Sequence, residues 1–207
     1  PMRPFRLISS VLLAVCSLPV DARLVQAQAG GAPAETSWPS FRNGNRQLGV
    51  AGGTLPENLE LLWKYQTTDG VVATPAIVGE CAYVPELGGN LRCFELATGE
   101  LVWSYRSIDD PDPDTFAWGF KAAPTVTADT VYAGDEDGVM HAVDRATGKL
   151  KWRFRAQAEI TGGAAIVKDR LLFGSHDGFL YCLNAADGSL VWQFQTEAQV
   201  YSSPAVI

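Results

Sequence analysis

The chain has 207 residues, of which 47% are hydrophobic, 10% aromatic and 19% charged, with 20 glycines and a net charge of −7. That length can bury the core of a single domain, and the glycine and aromatic content suits strands and turns. The acidic balance, with no basic patch in the chain, excludes a protein that holds nucleic acid by counterion release.

Residues 1–29 read as a secretory signal peptide. Arg3 and Arg6 precede an apolar run from Leu7 to Val20, and Ala27-Gln28-Ala29 supplies a small-x-small cleavage site. Ser9, Ser10, Ser17 and Pro19 interrupt the run, which is too short for a membrane span, so no transmembrane segment is expected beyond the signal. Lipid anchoring at Cys16 is not expected either, because Val15 stands where an anchoring signal needs a small residue. Removing the signal takes away Arg3, Arg6, Arg23 and Asp21 and shifts the net charge to about −9. The expected location is outside the cytoplasm, periplasmic or extracellular.

Residues 30–58 are read as a linker and an irregular N-terminal segment. The linker composition of residues 30–37 gives way to Trp38-Pro39-Ser40-Phe41-Arg42, then to glycines at 44, 49, 52 and 53 and to Pro56. This segment is expected to dock by its aromatics. Residues 59–66, carrying Trp63, are expected to form a closing strand. In the first full unit, alternation and punctuation place strands near 73–78, 81–86, 91–96 and 101–106. The second and third strands meet across Leu87-Gly88-Gly89-Asn90, with matching turns at Glu136-Asp137-Gly138 and His176-Asp177-Gly178. The third and fourth are joined through Thr98-Gly99, Thr147-Gly148 and Asp187-Gly188.

These units repeat. Trp63, Trp103, Trp152 and Trp192 stand 40, 49 and 40 residues apart, and a nine-residue insertion explains the long interval. Twelve residues beyond Trp63, Trp152 and Trp192 lie Pro75, Ala164 and Pro204, and Pro124 follows Trp103 once the insertion is allowed for. A period near forty, with each unit made of short strands, is the signature of a propeller or related array. The units are placed at 71–106, 119–155 and 160–195, with the start of another at 200–207. A four-stranded sheet with two apolar faces cannot stand alone in water and must stack on a neighbour, and one indole per unit can fill the space between sheets. The fold class is therefore all-β: a partial propeller of about three complete blades plus flanking strands, forming an open arc.

The clearest copy of the motif runs Ala142, Asp144, Gly148, Trp152, flanked by copies from Cys93 to Trp103 and from Cys182 to Trp192 that keep Gly99 and Gly188. It resembles the tryptophan-docking motif of the pyrroloquinoline-quinone-type β-propeller repeats. Thr74-Pro75-Ala76, Ser203-Pro204-Ala205 and the Trp38-Pro39-x-Phe41-Arg42 start are similar to that family too. The resemblance covers roughly residues 38–207 and implies seven or eight blades in a whole propeller. Pro1 ahead of Met2 and the stop at Ile207 in mid-strand then read as marks of a fragment. The motif is structural, shared by quinoprotein dehydrogenases, the propeller-type outer-membrane assembly lipoprotein and other exported proteins.

Candidate chemistry is sparse. Asp110, Asp112 and Asp114 have the alternate spacing of calcium loops, but no glycine stands at the sixth position and Lys121 occupies the twelfth, so a solvated acidic loop is the default. Phe116, Trp118 and Phe120 alternate behind it and read as strand or loop packing, with a ligand platform as the alternative. Cys81 and Cys93 face each other if the hairpin is symmetric about residue 87, which would allow a disulfide. The equivalent positions hold Thr130, Arg170 and Ala142, so each cysteine also fits as a filler of its own slot. His141 and His176 have no partner at metal spacing. The expectation is a non-catalytic interaction scaffold presenting loops to a protein or cell-envelope component, with no cofactor. Two alternatives stand beside it: a fragment of a quinone-dependent alcohol or sugar dehydrogenase, for which the resemblance implies pyrroloquinoline quinone and calcium, and an extracytoplasmic ligand-binding or sensor domain.

Overall fold

Short runs of β-branched and aromatic residues, broken by glycine-bearing turns, fold into consecutive hairpins because each turn returns the chain beside the strand it has just left. The computed structural model of the protein describes residues 37–51, 57–110, 112 and 114–207, within a compact unit of residues 34–207. The signal peptide, Cys16 and residues 30–36 of the linker lie outside the described residues. Twelve strands occur among the described residues: β1 (Ala76–Val78), β2 (Cys81–Pro85), β3 (Asn90–Glu95), β4 (Leu101–Arg106), β5 (Thr125–Val126), β6 (Thr130–Gly134), β7 (Val139–Asp144), β8 (Leu150–Arg155), β9 (Ala165–Val167), β10 (Arg170–Gly174), β11 (Phe179–Asn184) and β12 (Leu190–Gln195). They form three antiparallel sheets ordered β1-β2-β3-β4, β5-β6-β7-β8 and β9-β10-β11-β12. No helix occurs among the described residues. The result is an open arc of three propeller blades.

The core lies between the blades. Successive side chains on a strand point to opposite faces, so the middle blade divides its residues: Val131, Ala133 and Val143 pack with Tyr83, Leu91 and Trp103 of the first blade. Its Tyr132, Met140 and Ala142 pack with Leu171, Phe173 and Tyr181 of the third. Strand β6 is accordingly buried along its whole length, whereas β12, on the open face of the third blade, is exposed throughout.

Each blade carries one irregularity at the same place. Cys93, Ala142 and Cys182 lie directly opposite Trp103, Trp152 and Trp192, and the register slips by one residue immediately afterwards. The small first residue of the motif thus faces the indole of its own blade across the ladder, and the bulge re-aims the fourth strand.

Two expectations need correction. The first hairpin is centred on residue 88, not 87: Cys81 pairs with Glu95, and Cys93 pairs with Tyr83. Cys81, Cys93 and Cys182 are all free thiols. Burial, with the neighbouring Cys81 thiol adding to it, pushes the Cys93 thiol up to about 12. Residues 59–66 form no ladder, because a fourth strand needs a third strand beside it and no described residue supplies one.

The N-terminal segment crosses the inner strands in turn. Trp38 and Ile77 exchange both backbone hydrogen bonds, Val126 N donates to Pro39 O at 2.8 Å, and Val206 N donates to Asn45 O at 2.9 Å. The Asn45 amide donates to Ile166 O, and the Gln47 amide donates to Ser203 O and Pro204 O. Backbone and amide groups hold this strap, and its Phe41 remains 36% exposed. The strap supplies partners that the inner edges of the arc would otherwise lack.

Candidate functional site

Glycine at the seventh motif position has two jobs. Gly148 adopts φ +71, and a Cβ there would come within 2.8 Å of the Trp103 ring. The indole of each blade therefore lies flat on the turn of the next, and its Nε1 donates to a turn carbonyl: Trp63 to Leu96 at 2.8 Å, Trp103 to Arg145 at 3.0 Å, Trp152 to Ala185 at 3.1 Å. Cβ atoms on Gly99 and Gly188 would meet Trp63 and Trp152 in the same way. Trp192 is 43% exposed. Asp144 holds the turn itself, its Oδ1 accepting from Thr147 N and Oγ1 at 2.9 and 2.7 Å. These contacts tie each turn to the indole of the preceding unit.

The chemistry-bearing side chains gather at the other end, where the second-to-third-strand turns meet the connections between blades. Those connections are tied down by a repeated set of bonds: Ser107, Ala156 and Thr196 N donate to Gly89, Gly138 and Gly178 O, and Phe120, Ile160 and Val200 N donate to Glu86, Asp135 and Ser175 O.

Beneath this face runs a buried relay. Asp135 Oδ2 lies 2.9 Å from His141 Nε2, and His141 Nδ1 lies 2.9 Å from the Tyr105 hydroxyl. Because the Tyr105 oxygen accepts from Arg153, its own proton goes to Nδ1, and Nε2 of the neutral imidazole carries the proton that faces Asp135. The phenol oxygen accepts in turn from Arg153 Nε and Nη2 at 3.1 and 2.9 Å, and Arg153 clamps Asp109 with two bonds at 2.9 and 3.0 Å. Burial holds the His141 imidazole below its ordinary range, against the pull of Asp135, and raises the Tyr105 phenol. Arg153 holds the Asp109 carboxyl below its usual range. The first blade repeats the theme with other residues: Arg92 Nε lies 2.7 Å from Glu86 Oε1, without hydrogen-bond alignment, and Arg92 Nη1 donates to Tyr65 OH at 2.9 Å. Burial raises the Glu86 carboxyl.

The acidic insertion is internally bonded. Asp110 Oδ1 accepts from Asp112 N at 2.9 Å and Oδ2 from Thr115 Oγ1 at 3.0 Å, while Asp112 Oδ1 accepts from Asp114 N at 3.0 Å. Arg106 donates to the carbonyls of Asp110, Asp112 and Thr115, placing a guanidinium where the loop oxygens converge. Among the described residues no group of three or more His, Cys, Asp or Glu could hold a metal ion. Beside the insertion lies a groove of about 680 Å³ lined by Asp69, Arg92, Arg106, Asp109, Asp110 and Asp114.

A smaller recess of about 310 Å³ sits over the strap at the hub, lined among others by Phe41, Gln47, Lys121, Thr161 and Tyr201. Lys121 is the one cationic residue among the described residues that line it, and it is ion-paired with Glu136. His176 stands near the recess, its Nε2 2.8 Å from Thr161 Oγ1. No helix among the described residues is long and apolar enough to cross a membrane.

The sequence located the turns and the acidic insertion but not the relay. A signal was present: an aromatic follows each tryptophan by two residues (Tyr65, Tyr105, Phe154, Phe194), and Glu86–Arg92 and Asp135–His141 share a spacing of six.

The family model described as outer membrane protein assembly factor BamB matches residues 56–153 and 136–207. Among solved structures, BamB from Moraxella catarrhalis superposes with a TM-score of 0.55 at 20% identity, covering 65% of this chain and 39% of that one. Quinohemoprotein alcohol dehydrogenase from Comamonas testosteroni gives 0.63 at 22% identity, covering 78% of this chain and 27% of that one. The computationally designed Ika4 protein gives 0.58 at 18% identity, covering 70% and 85%. At these identities the likeness shows the fold alone, and this chain spans well under half the length of the first two. No curated protein matches it.

Proposed function

The chain belongs to the family described as outer membrane protein assembly factor BamB, a family of pyrroloquinoline-quinone-type propeller repeats, and from that premise we propose that it is an exported, non-catalytic scaffold. Its loop face is what it offers to a protein or cell-envelope component. One observation carries the reading. The arrangement most like catalytic machinery, Asp135–His141–Tyr105, is sealed: His141 is wholly buried and both its ring nitrogens are bonded. A general acid or base must reach a substrate proton, and this one reaches only its neighbours. The relay therefore serves to lock the first blade to the second.

The recess argues the same way. A quinone bearing three carboxylates favours several cationic partners, whereas among the described residues the one cation lining the recess already answers Glu136. The lining residues do not fit that cofactor, and no reaction is assigned to them.

The test uses the full-length gene product. Adding pyrroloquinoline quinone and calcium should produce no bound-cofactor absorbance and no dye reduction with alcohols or sugars. Photo-crosslinking groups placed at Thr161 and Phe116 should capture a protein in intact cells, and one at Thr98 on the opposite rim should not. Turnover with the quinone, or equal capture from both rims, overturns the reading.

A further inference from the structure

Several aromatic side chains stand outside the packing between blades, and two of them belong to the insertion. Phe116 is 71% exposed and Trp118 is 41% exposed, and their rings meet edge to face at 5.1 Å and 82°. An exposed aromatic pair normally sits on a flexible loop that would lose entropy on binding. The flanks of this one are tied down. Ser107 Oγ donates to Trp118 O at 2.8 Å, Arg106 gathers the carbonyls of Asp110, Asp112 and Thr115, and Arg153 grips Asp109 with two bonds. A contact surface held in shape before binding is the condition under which aromatics act as anchors.

The surroundings select the occupant. Asp114 lies two residues before Phe116 and lines the 680 Å³ groove with Asp69, Asp109 and Asp110. The two arginines of that groove are committed inward, Arg92 to Glu86 and Tyr65 and Arg106 to the loop carbonyls. With Asp109 answered by Arg153, the carboxylates left to the groove are those of Asp69, Asp110 and Asp114, and the aromatic pair follows Asp114 in the chain. That combination attracts cations twice, by Coulomb attraction and through the ring quadrupoles.

Resting on the scaffold reading, we infer that the Phe116–Trp118 pair and the adjoining acidic groove bind an extended, arginine- or lysine-bearing segment of the partner protein. The aromatic pair anchors the stems and cationic heads of that segment, and the aspartates set its register along the groove. A second copy of this chain is a poor occupant, since its own net charge is −7.

The experiment titrates full-length protein with a twelve-residue peptide alternating arginine and valine, and with its glutamate–valine counterpart, by calorimetry. The arginine peptide is expected to bind and the glutamate peptide not to. Raising the ionic strength from about 0.05 to about 0.3 M should weaken binding severalfold. Phe116→Ala with Trp118→Ala should weaken it by about tenfold or more with the circular dichroism unchanged; Phe116→Ala alone, at a ring 71% exposed, should weaken it while also leaving the melting temperature unchanged. Asp110→Asn with Asp114→Asn should flatten the salt dependence. Equal affinity for the two peptides, indifference to the aromatic double variant, or sedimentation showing that the pair closes a dimer would overturn the inference. The two readings fail differently: if crosslinks form at Thr161 but not at Phe116, the scaffold stands and this surface falls; if neither position captures a protein, both fall.

Discussion

Replacing Trp103 by alanine tests the mechanical account most directly. The indole is 8% exposed, lies against Gly148 of the next blade and donates to Arg145 O at 3.0 Å. A buried tryptophan removes roughly 150–250 Å² from water, worth about 4–6 kcal/mol at ~25 cal/mol per Å². After allowing for the methyl that remains, a loss of about 4 kcal/mol is expected, within the usual range for such truncations. The molecule contains its own control. Trp192 occupies the same motif position but is 43% exposed, so Trp192→Ala should cost about half as much or less. Guanidinium unfolding followed by far-ultraviolet circular dichroism gives both values, with Trp103→Ala also lowering the melting temperature by about 10 °C. A loss under about 1 kcal/mol for Trp103→Ala, or equal losses for the two variants, would refute the claim that the indole joins one blade to the next.

Gly148→Ala should destabilise by about 2 kcal/mol or more, since it combines a left-handed backbone angle with a clash against the Trp103 ring; a neutral result in the same denaturation assay would contradict the contact. His141 gives stability a pH dependence of definite sign. Its folded-state pKa is lowered from 6.5 by burial, so below about pH 6.5 the unfolded chain binds a proton that the folded chain refuses. Stability should be full above that pH and fall on acidification, and the difference between the parent and His141→Gln should isolate this slope from Glu86, whose raised pKa acts in the opposite direction above pH 4.5. A difference that stays flat between about pH 7 and 5.5 would refute it. Calcium or a chelator should leave the melting temperature unchanged, because Arg106 already sits among the carbonyls of the insertion; a calcium-dependent rise of several degrees would show that Asp110, Asp112 and Asp114 hold the ion.

The error in the first hairpin shows why some features were out of reach. Moving its centre from residue 87 to 88 exchanges every partner by two positions. Side chains alternate with a period of two, so the shift keeps each residue on its original face, and no pattern of apolar residues can reveal it. The turn decides instead. Glu86 N bonds to Asn90 O and Gly89 N to Glu86 O, with Gly89 at φ +75, and that closure sets Tyr83 rather than Cys81 opposite Cys93. Residues 59–66 had the composition of a strand, yet composition cannot provide the neighbour that a ladder requires.

What the sequence determined by itself was the unit and its period: where turns fall, which residue is small, which glycine reverses the chain, and that sheets with two apolar faces must stack. All of these are local or periodic properties, legible because they recur every forty residues or so. Tertiary structure alone decided which polar groups meet between blades. Tyr105, His141, Arg153 and Asp109 lie on different strands and connections, and the strap residues reach partners as much as 157 positions away. Those pairings depend on the rotation between adjacent sheets, a quantity set by the summed packing of whole blades and carried by no single stretch of chain.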